Sequence, residues 1–284
     1  MSNEKQDDNI VICNICSHHC RLREGTTGFC RARKNIGGEN RPLNYGIVTG
    51  IALDPIEKKP LKNFFPGSFI LSVGSFGCNL KCPFCQNHAI SQSGEEMVSH
   101  AETVSPQELC DTALSLINRG NIGVAFTYNE PLICYEFVRD TAKLVKENGM
   151  KTAVVTNGSI SLEILEEILP SIDAMNIDLK GFTEKAYELM AGDLKQTKAF
   201  IQRAVSSCHV ELTSLIVPTI NDSIEEMEAE AAWIATLSPD IPLHITRYFP
   251  MYQMTTEPPT DISLLYALKE TAEKYLKNVY VGNV

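Results

Sequence analysis

The chain has 284 residues, 44% of them hydrophobic and 21% charged, with a formal net charge of −10. That size and balance suit a globular protein with a large core, built as one domain with an appendage or as two ordinary domains. No apolar run reaches the roughly 18 residues of a membrane span, and an acidic body argues against non-specific nucleic-acid binding.

The N-terminus is polar and has no apolar stretch of the kind a signal peptide needs, so a cytoplasmic, reducing location is expected. Ten cysteines in such a compartment point to metal binding or catalysis rather than to disulfides. Cys13, Cys16, Cys20 and Cys30 crowd together, with His18 and His19 as spare donors. Four thiolates would close a structural zinc site or a fully ligated iron–sulfur cluster; a redox-active, metal-free set is the third option. Residues 13–66 carry nine Lys/Arg against four Asp/Glu. This basic stretch either meets an acidic partner or offsets thiolate charge. With Gly25, Gly28, Gly37 and Gly38, residues 1–66 read as a loop-rich, Cys-rich metal-binding module. Its segment Asp54–Pro60 leads into the next part.

From residue 67 onward, strand-like and helix-like patterns alternate. Apolar runs predict strands at Phe69–Val73, Ile122–Phe126, Thr152–Val155, Ala174–Ile177, Val210–Val217, Leu243–Ile245 and Val279–Val281. Ser105-Pro106-Gln107-Glu108 is a capping box, and a second helix runs from Ile133 to Asn148 before Gly149. Further helices start near Leu162, Thr183, Ser223 and Asp261, with Asn221 and Asp222 as cap residues. Cys110 and Cys134 fall in helices as small buried hydrophobes, and Cys208 reads as structural. The fold class is α/β, with residues 67–284 forming a partial, TIM-like (β/α)6 barrel rather than a closed barrel of eight.

Directly after the first of these strands comes Gly77-Cys78-Asn79-Leu80-Lys81-Cys82-Pro83-Phe84-Cys85. Three thiolates on one loop can converge on a compact site. An iron–sulfur cluster takes four, so three would leave one metal position open for a substrate or cofactor. A zinc site completed by His88 is the competing reading. In such barrels the chemistry sits on loops at the C-terminal ends of strands. There the sequence offers Glu130, which also suits the first turn of a helix, and Asn157 in Thr156-Asn157-Gly158. Asp178 and Lys180 share a face, where they would bind a zwitterion or pair with each other. Arg247 would clamp a carboxylate, and His244 reads as a packed histidine.

The C-x3-C-x2-C pattern with an aromatic residue before the third cysteine resembles the radical S-adenosylmethionine (SAM) superfamily. Together with Asp54-to-Leu61 and Phe64-Phe65-Pro66-Gly67-Ser68, it is similar to the pyruvate formate-lyase activating enzyme-like branch, in the AmmeMemoRadiSam system radical SAM protein subfamily. The resemblance covers nearly the whole chain. It implies a [4Fe–4S] cluster on Cys78, Cys82 and Cys85, with SAM on the open iron. Reductive cleavage of SAM would then give a 5′-deoxyadenosyl radical that takes hydrogen from a substrate.

By the same resemblance, Phe84 contacts adenine and Glu130 holds the SAM amino group, although the family's usual Gly-Gly-Glu is here Tyr-Asn-Glu-Pro. Asp178 and Lys180 contact SAM as in glycyl-radical activating enzymes, and Asn157 and Arg247 are further candidates. The implied partners are a reductant such as flavodoxin or ferredoxin and a protein or peptide substrate. Radical modification of a small molecule is the alternative. A metal-stabilised interaction or redox-sensing protein is the reading from another class.

Overall fold

The computed structural model describes residues 9–284; of the N-terminal stretch read as carrying no signal peptide, residues 1–8 lie outside the described residues. Among the described residues the main sheet has eight strands: β1 (Gly50–Pro55), β2 (Phe69–Gly74), β3 (Asn121–Phe126), β4 (Lys151–Thr156), β5 (Ala174–Asp178), β6 (His209–Ile216), β7 (Leu243–Arg247) and β8 (Val279–Gly282). They lie side by side in chain order. β1 is antiparallel to β2, and every later pair is parallel. The seven predicted runs are β2 to β8. They were readable as apolar runs because parallel strands are covered on both faces.

Helices α1 (Pro106–Ser115), α2 (Tyr135–Glu147), α3 (Leu162–Ile168), α4 (Glu184–Leu189), α5 (Leu194–Val205), α6 (Ile224–Leu237) and α7 (Ile262–Ala272) fill the six parallel crossovers. β1 and β8 stand at opposite edges of the sheet, as an open (β/α)6 arrangement requires. Ser105 and Glu108 form the capping box of α1. Thr183, Asp193, Ser223 and Asp261 cap α4 to α7 through their side chains. Asn221 and Asp222 therefore do not cap α6; the Asn221 side chain folds back onto Val217 N and Leu215 O instead. Of these sheet strands and helices, β1 and α5 have no counterpart in the sequence analysis.

Residues before the sheet form two short hairpins, Val11–Ile12 with Arg21–Leu22 and Arg33–Ile36 with Glu39–Pro42. β1 and the segment after it, although within residues 1–66, are built into the barrel. Ile56, Leu61 and Phe64 pack with Ile70, Ala125, Ala153 and Ala174 as a core separate from the one under the helices. Ala125, Ala153 and Ala174 lie in one cross-strand row, and their small side chains leave the room that this segment fills. Glu211 at the start of β6 anchors it, accepting Lys62 N and Asn63 N at 3.0 and 2.7 Å. His209 and His244 bond the same carboxylate at 2.9 and 2.6 Å. Asn176 holds the carbonyl of Pro60 at 2.9 Å. The segment thus floors the barrel at the end opposite the strand C-termini. Among the described residues, no helix is long and apolar enough to cross a membrane.

Candidate active site

Above that floor lies a cavity of about 280 Å³. Cys78, Cys82, Phe84 and Cys85 line it from the loop after β2, Glu130 from the loop after β3, Asn157 after β4, and Asp178 and Lys180 at the end of β5. Strand alternation aims Val155, Asp178, Thr213, Leu215 and Thr246 inward. Pro60 closes the base, and Tyr128 lines the wall. Burial raises the Cys78 thiol well above its ordinary value, and the Glu130 and Cys82 charges push the same way. Cys82 is pushed up to about 11 by burial, with Lys180 pulling it back down.

The cysteine loop is held on several sides. Gly77 has φ 84°, and a Cβ there would lie 2.7 Å from Cys30 O and 2.9 Å from Ala32 Cβ, so only glycine lets the N-terminal hairpins approach this closely. Leu80 N donates to Cys78 Sγ at 3.3 Å and Asn157 Nδ2 does so at 3.6 Å. Ser91 Oγ stands 3.2 Å from Cys85 Sγ. His88 bonds the Cys85 carbonyl and stacks on Tyr252, a packing role rather than that of a ligand.

Glu130 is 1% exposed. Its Oε1 accepts Leu132 N at 3.1 Å and Thr156 Oγ1 at 2.8 Å, and its Oε2 accepts Asn157 N at 2.7 Å. One acceptor site on Oε2 remains. Burial pushes the carboxyl up to about 7 in spite of these donors. Lys180 Nζ lies 3.0 Å from Asp178 Oδ2. Burial works against the lysine's charge, but Asp178 and the Cys82 sulfur outweigh it and raise its pKa.

Arg247 is not brought to this cavity. Its Nε donates to Thr260 O at 2.8 Å, and it lines a separate groove with Asp222 and Asp261. His244 is a packed histidine on Glu211 and Tyr280. Sequence reasoning passed over Asn79, Ser91 and Tyr128. Tyr128 sits in the left-handed region (φ 74°), its hydroxyl bonded to Asp54 at 2.8 Å and the buried Lys59 at 3.3 Å. Asn79 carried a signal, a polar residue between the first two cysteines of the loop.

The N-terminal four are also gathered. Cys13 and Cys20 face each other across their hairpin, with Cys13 N bonded to Cys20 O at 2.9 Å. Phe29 N donates to Cys20 Sγ at 3.4 Å. Burial pushes Cys16 up to about 12, and Cys30, Cys13 and Cys20 add to the rise. Among the described residues, no three His, Cys, Asp or Glu side chains are arranged to hold one metal ion. A four-iron cluster is larger than an ion and takes thiolates at wider spacing. The triad fits it in donor chemistry: three thiols on one cavity, with hydrogen-bond donors on two of the sulfurs.

The Radical SAM superfamily profile matches residues 72–234. An uncharacterized protein of Methanocaldococcus jannaschii is 40% identical over 99% of this chain and 84% of its own length. The pyruvate formate-lyase-activating enzyme of Clostridium pasteurianum is 31% identical, over 53% of this chain and 63% of that enzyme. In fold, a radical SAM methyltransferase from Sphaerobacter thermophilus superposes with a TM-score of 0.59 at 14% identity, covering 77% of this chain and 67% of that one. A profile match over more than half of the chain places the protein in the radical SAM superfamily, and the named relative makes it an enzyme related to the pyruvate formate-lyase activating enzymes.

Proposed function

We propose that Cys78, Cys82 and Cys85 hold a [4Fe–4S] cluster and that SAM binds in the cavity they line, for hydrogen abstraction from a protein or peptide substrate. The observation that carries this is the meeting of three thiols with Glu130, Asn157, Asp178 and Lys180 around one cavity that no other cysteine lines. When bound, cluster and SAM supply a 5′-deoxyadenosyl radical by one-electron reductive cleavage.

The chain's own residues bind and orient. The free acceptor of Glu130 takes the ammonium of SAM, whose charge offsets the burial that holds this carboxyl near 7. Lys180, kept cationic by Asp178, takes the SAM carboxylate. Phe84, 3% exposed, offers its ring to the adenine. Asn157 fixes Glu130 and Cys78 at once. The activating-enzyme relative supports the protein-substrate reading. Reduction would come from flavodoxin or ferredoxin in a reducing compartment such as the cytoplasm. Cys13, Cys16, Cys20 and Cys30 are assigned a second metal, zinc or an iron–sulfur cluster, on donor chemistry alone; their arrangement here is not that of thiols closed on a single ion, so zinc would require them to draw together.

The test is anaerobic reconstitution, reduction with dithionite, addition of SAM and chromatography for 5′-deoxyadenosine. The expected result is product from the native chain and none from Cys82→Ala. A native chain shown to carry its cluster but forming no 5′-deoxyadenosine would overturn the proposal. Metal analysis of the same sample separates zinc from additional iron at the N-terminal site.

A further inference from the structure

Arg31, directly after Cys30, has φ 63° and reaches out of the N-terminal hairpins toward the cysteine loop. Its Nη2 donates to Gln92 Oε1 at 2.9 Å and to Ser91 O at 3.1 Å. Gln92 Nε2 donates to Leu80 O at 3.1 Å and more weakly to Ser91 Oγ at 3.4 Å. A cation on one end of this amide and a carbonyl on the other fix which end is oxygen. Ser91 is 3% exposed, and its Oγ is 3.2 Å from Cys85 Sγ. With Gln92 donating to that oxygen, and a cysteine that holds iron having no proton of its own to give, the serine hydroxyl is the donor left for the sulfur. Glu96 is the acid whose charge meets that of Arg31; among the described residues Arg31 makes no direct ion pair, and its Nε is buried without a partner.

We infer that Arg31, Gln92 and Ser91 form a hydrogen-bond relay that carries positive charge from the N-terminal module to Cys85 and sets the reduction potential of the centre Cys85 helps to hold. This rests on the cluster assignment proposed above. A donor on a ligand sulfur stabilises the more electron-rich state, so each link raises the potential. A chain of such bonds polarises along its length. The three are positioning residues: Ser91 alone touches a sulfur, and the other two act through it. The sequence puts 54 positions between Cys30 and Cys85, and the relay is one of the links that join the two cysteine sets in the fold, beside the packing of Gly77 on Cys30 and the bond from His18 to Asn79 O.

The test is an EPR-monitored redox titration of the anaerobically reconstituted full chain. Ser91→Ala is expected to move the midpoint to more negative potential, with Ser91→Thr, which keeps the hydroxyl, staying at the native value. Arg31→Met is expected to move it the same way by a smaller amount. Lys34→Met removes a cation of the same module that pairs instead with Glu95, and should leave the midpoint in place. A native midpoint in Ser91→Ala, or an Arg31→Met midpoint equal to that of Lys34→Met, would overturn the relay. Should Ser91→Ala not hold its cluster, Arg31→Met and Gln92→Leu decide the matter, since neither removes a group that touches a sulfur. Absence of a cluster from the native chain would instead overturn the assignment on which the relay rests.

Discussion

The side-chain amide of Asn157 donates to Asn79 Oδ1 at 2.8 Å, joining the end of β4 to the loop that carries the three cysteines. Asn79 in turn donates to Ser159 O at 2.7 Å, and Ser159 N returns to Asn157 Oδ1 at 2.9 Å. The loop leaves from β2 but takes its position from β4, so the thiols and Glu130 are placed by the same strand end.

Asn79→Ala would leave the Asn157 amide with only the weaker contact to Cys78 Sγ and the Ser159 carbonyl without its Asn79 donor, inside the protein. Each unsatisfied group costs about 1–3 kcal/mol. The expected outcome is a lower melting temperature together with reduced iron and sulfide per chain after reconstitution. Asn79→Ser, which is shorter but still polar, should recover part of both. Full cluster loading in Asn79→Ala would show that β4 does not set the loop.

Two buried carboxyls give opposite pH dependences. Glu211 is lowered from 4.5 to about 2: burial alone would raise it, but His209, His244, Asn63 N and Lys62 N outweigh that. The unfolded chain then binds more protons than the folded one between those values. Glu211 therefore contributes stability that is present above pH 4.5 and lost as pH falls toward 2. Glu230, raised by burial from 4.5 to about 8 and bonded to Ser214, does the reverse, and its ionisation costs stability as pH rises from 4.5 to 8. Chemical denaturation across pH should show Glu230→Gln without this alkaline loss. Glu211→Gln, whose amide nitrogen must face two donors, should be weaker by roughly 3 kcal/mol at neutral pH.

The floor of the barrel makes a packing prediction. Leu61 is fully buried in the core that it forms with Ile56, Phe64, Ile70 and the three alanines, and Leu61→Ala should cost about 2–5 kcal/mol through the cavity it leaves. Ala153→Leu, in the row that receives this segment, should cost about 1–3 kcal/mol through crowding. Thermal melts check both. Because Pro60 forms the cavity base, Ala153→Leu should also weaken SAM binding, whereas the same substitution at Ala142, buried in the core on α2, should lower stability alone.

How far the sequence carried depended on where each residue's environment is written. Strands β2 to β8 are covered on both faces and announce themselves as apolar runs, and the cysteine loop does so by spacing. β1 is an edge strand, exposed over its first three residues, and its Gly-Ile-Ala-Leu-Asp-Pro shows no alternation to read. α5 did carry a signal, with Asp193 as cap and Leu194, Thr197, Phe200, Ile201 and Ala204 buried at helical spacing. The relay from Arg31 to Cys85 and the four donors on Glu211 join positions far apart in the chain, and no local pattern contains them.

Arg247 shows how strand direction decides a site. Alternation along β7 places His244 and Thr246 on the inner face, and Thr246 lines the cavity, so Arg247 points away from it. Lys180 shares the inner face with Asp178 and is held 3.0 Å from it. Lys180→Ala should therefore weaken SAM binding about tenfold, the loss of one charge-assisted contact worth about 1.4 kcal/mol. Arg247→Ala should leave SAM affinity unchanged while loosening the turn around Thr260, whose carbonyl it holds. Equilibrium SAM binding to the reconstituted variants separates the two. Equal losses at both positions would mean that the loop after β7 folds over the cavity when SAM binds.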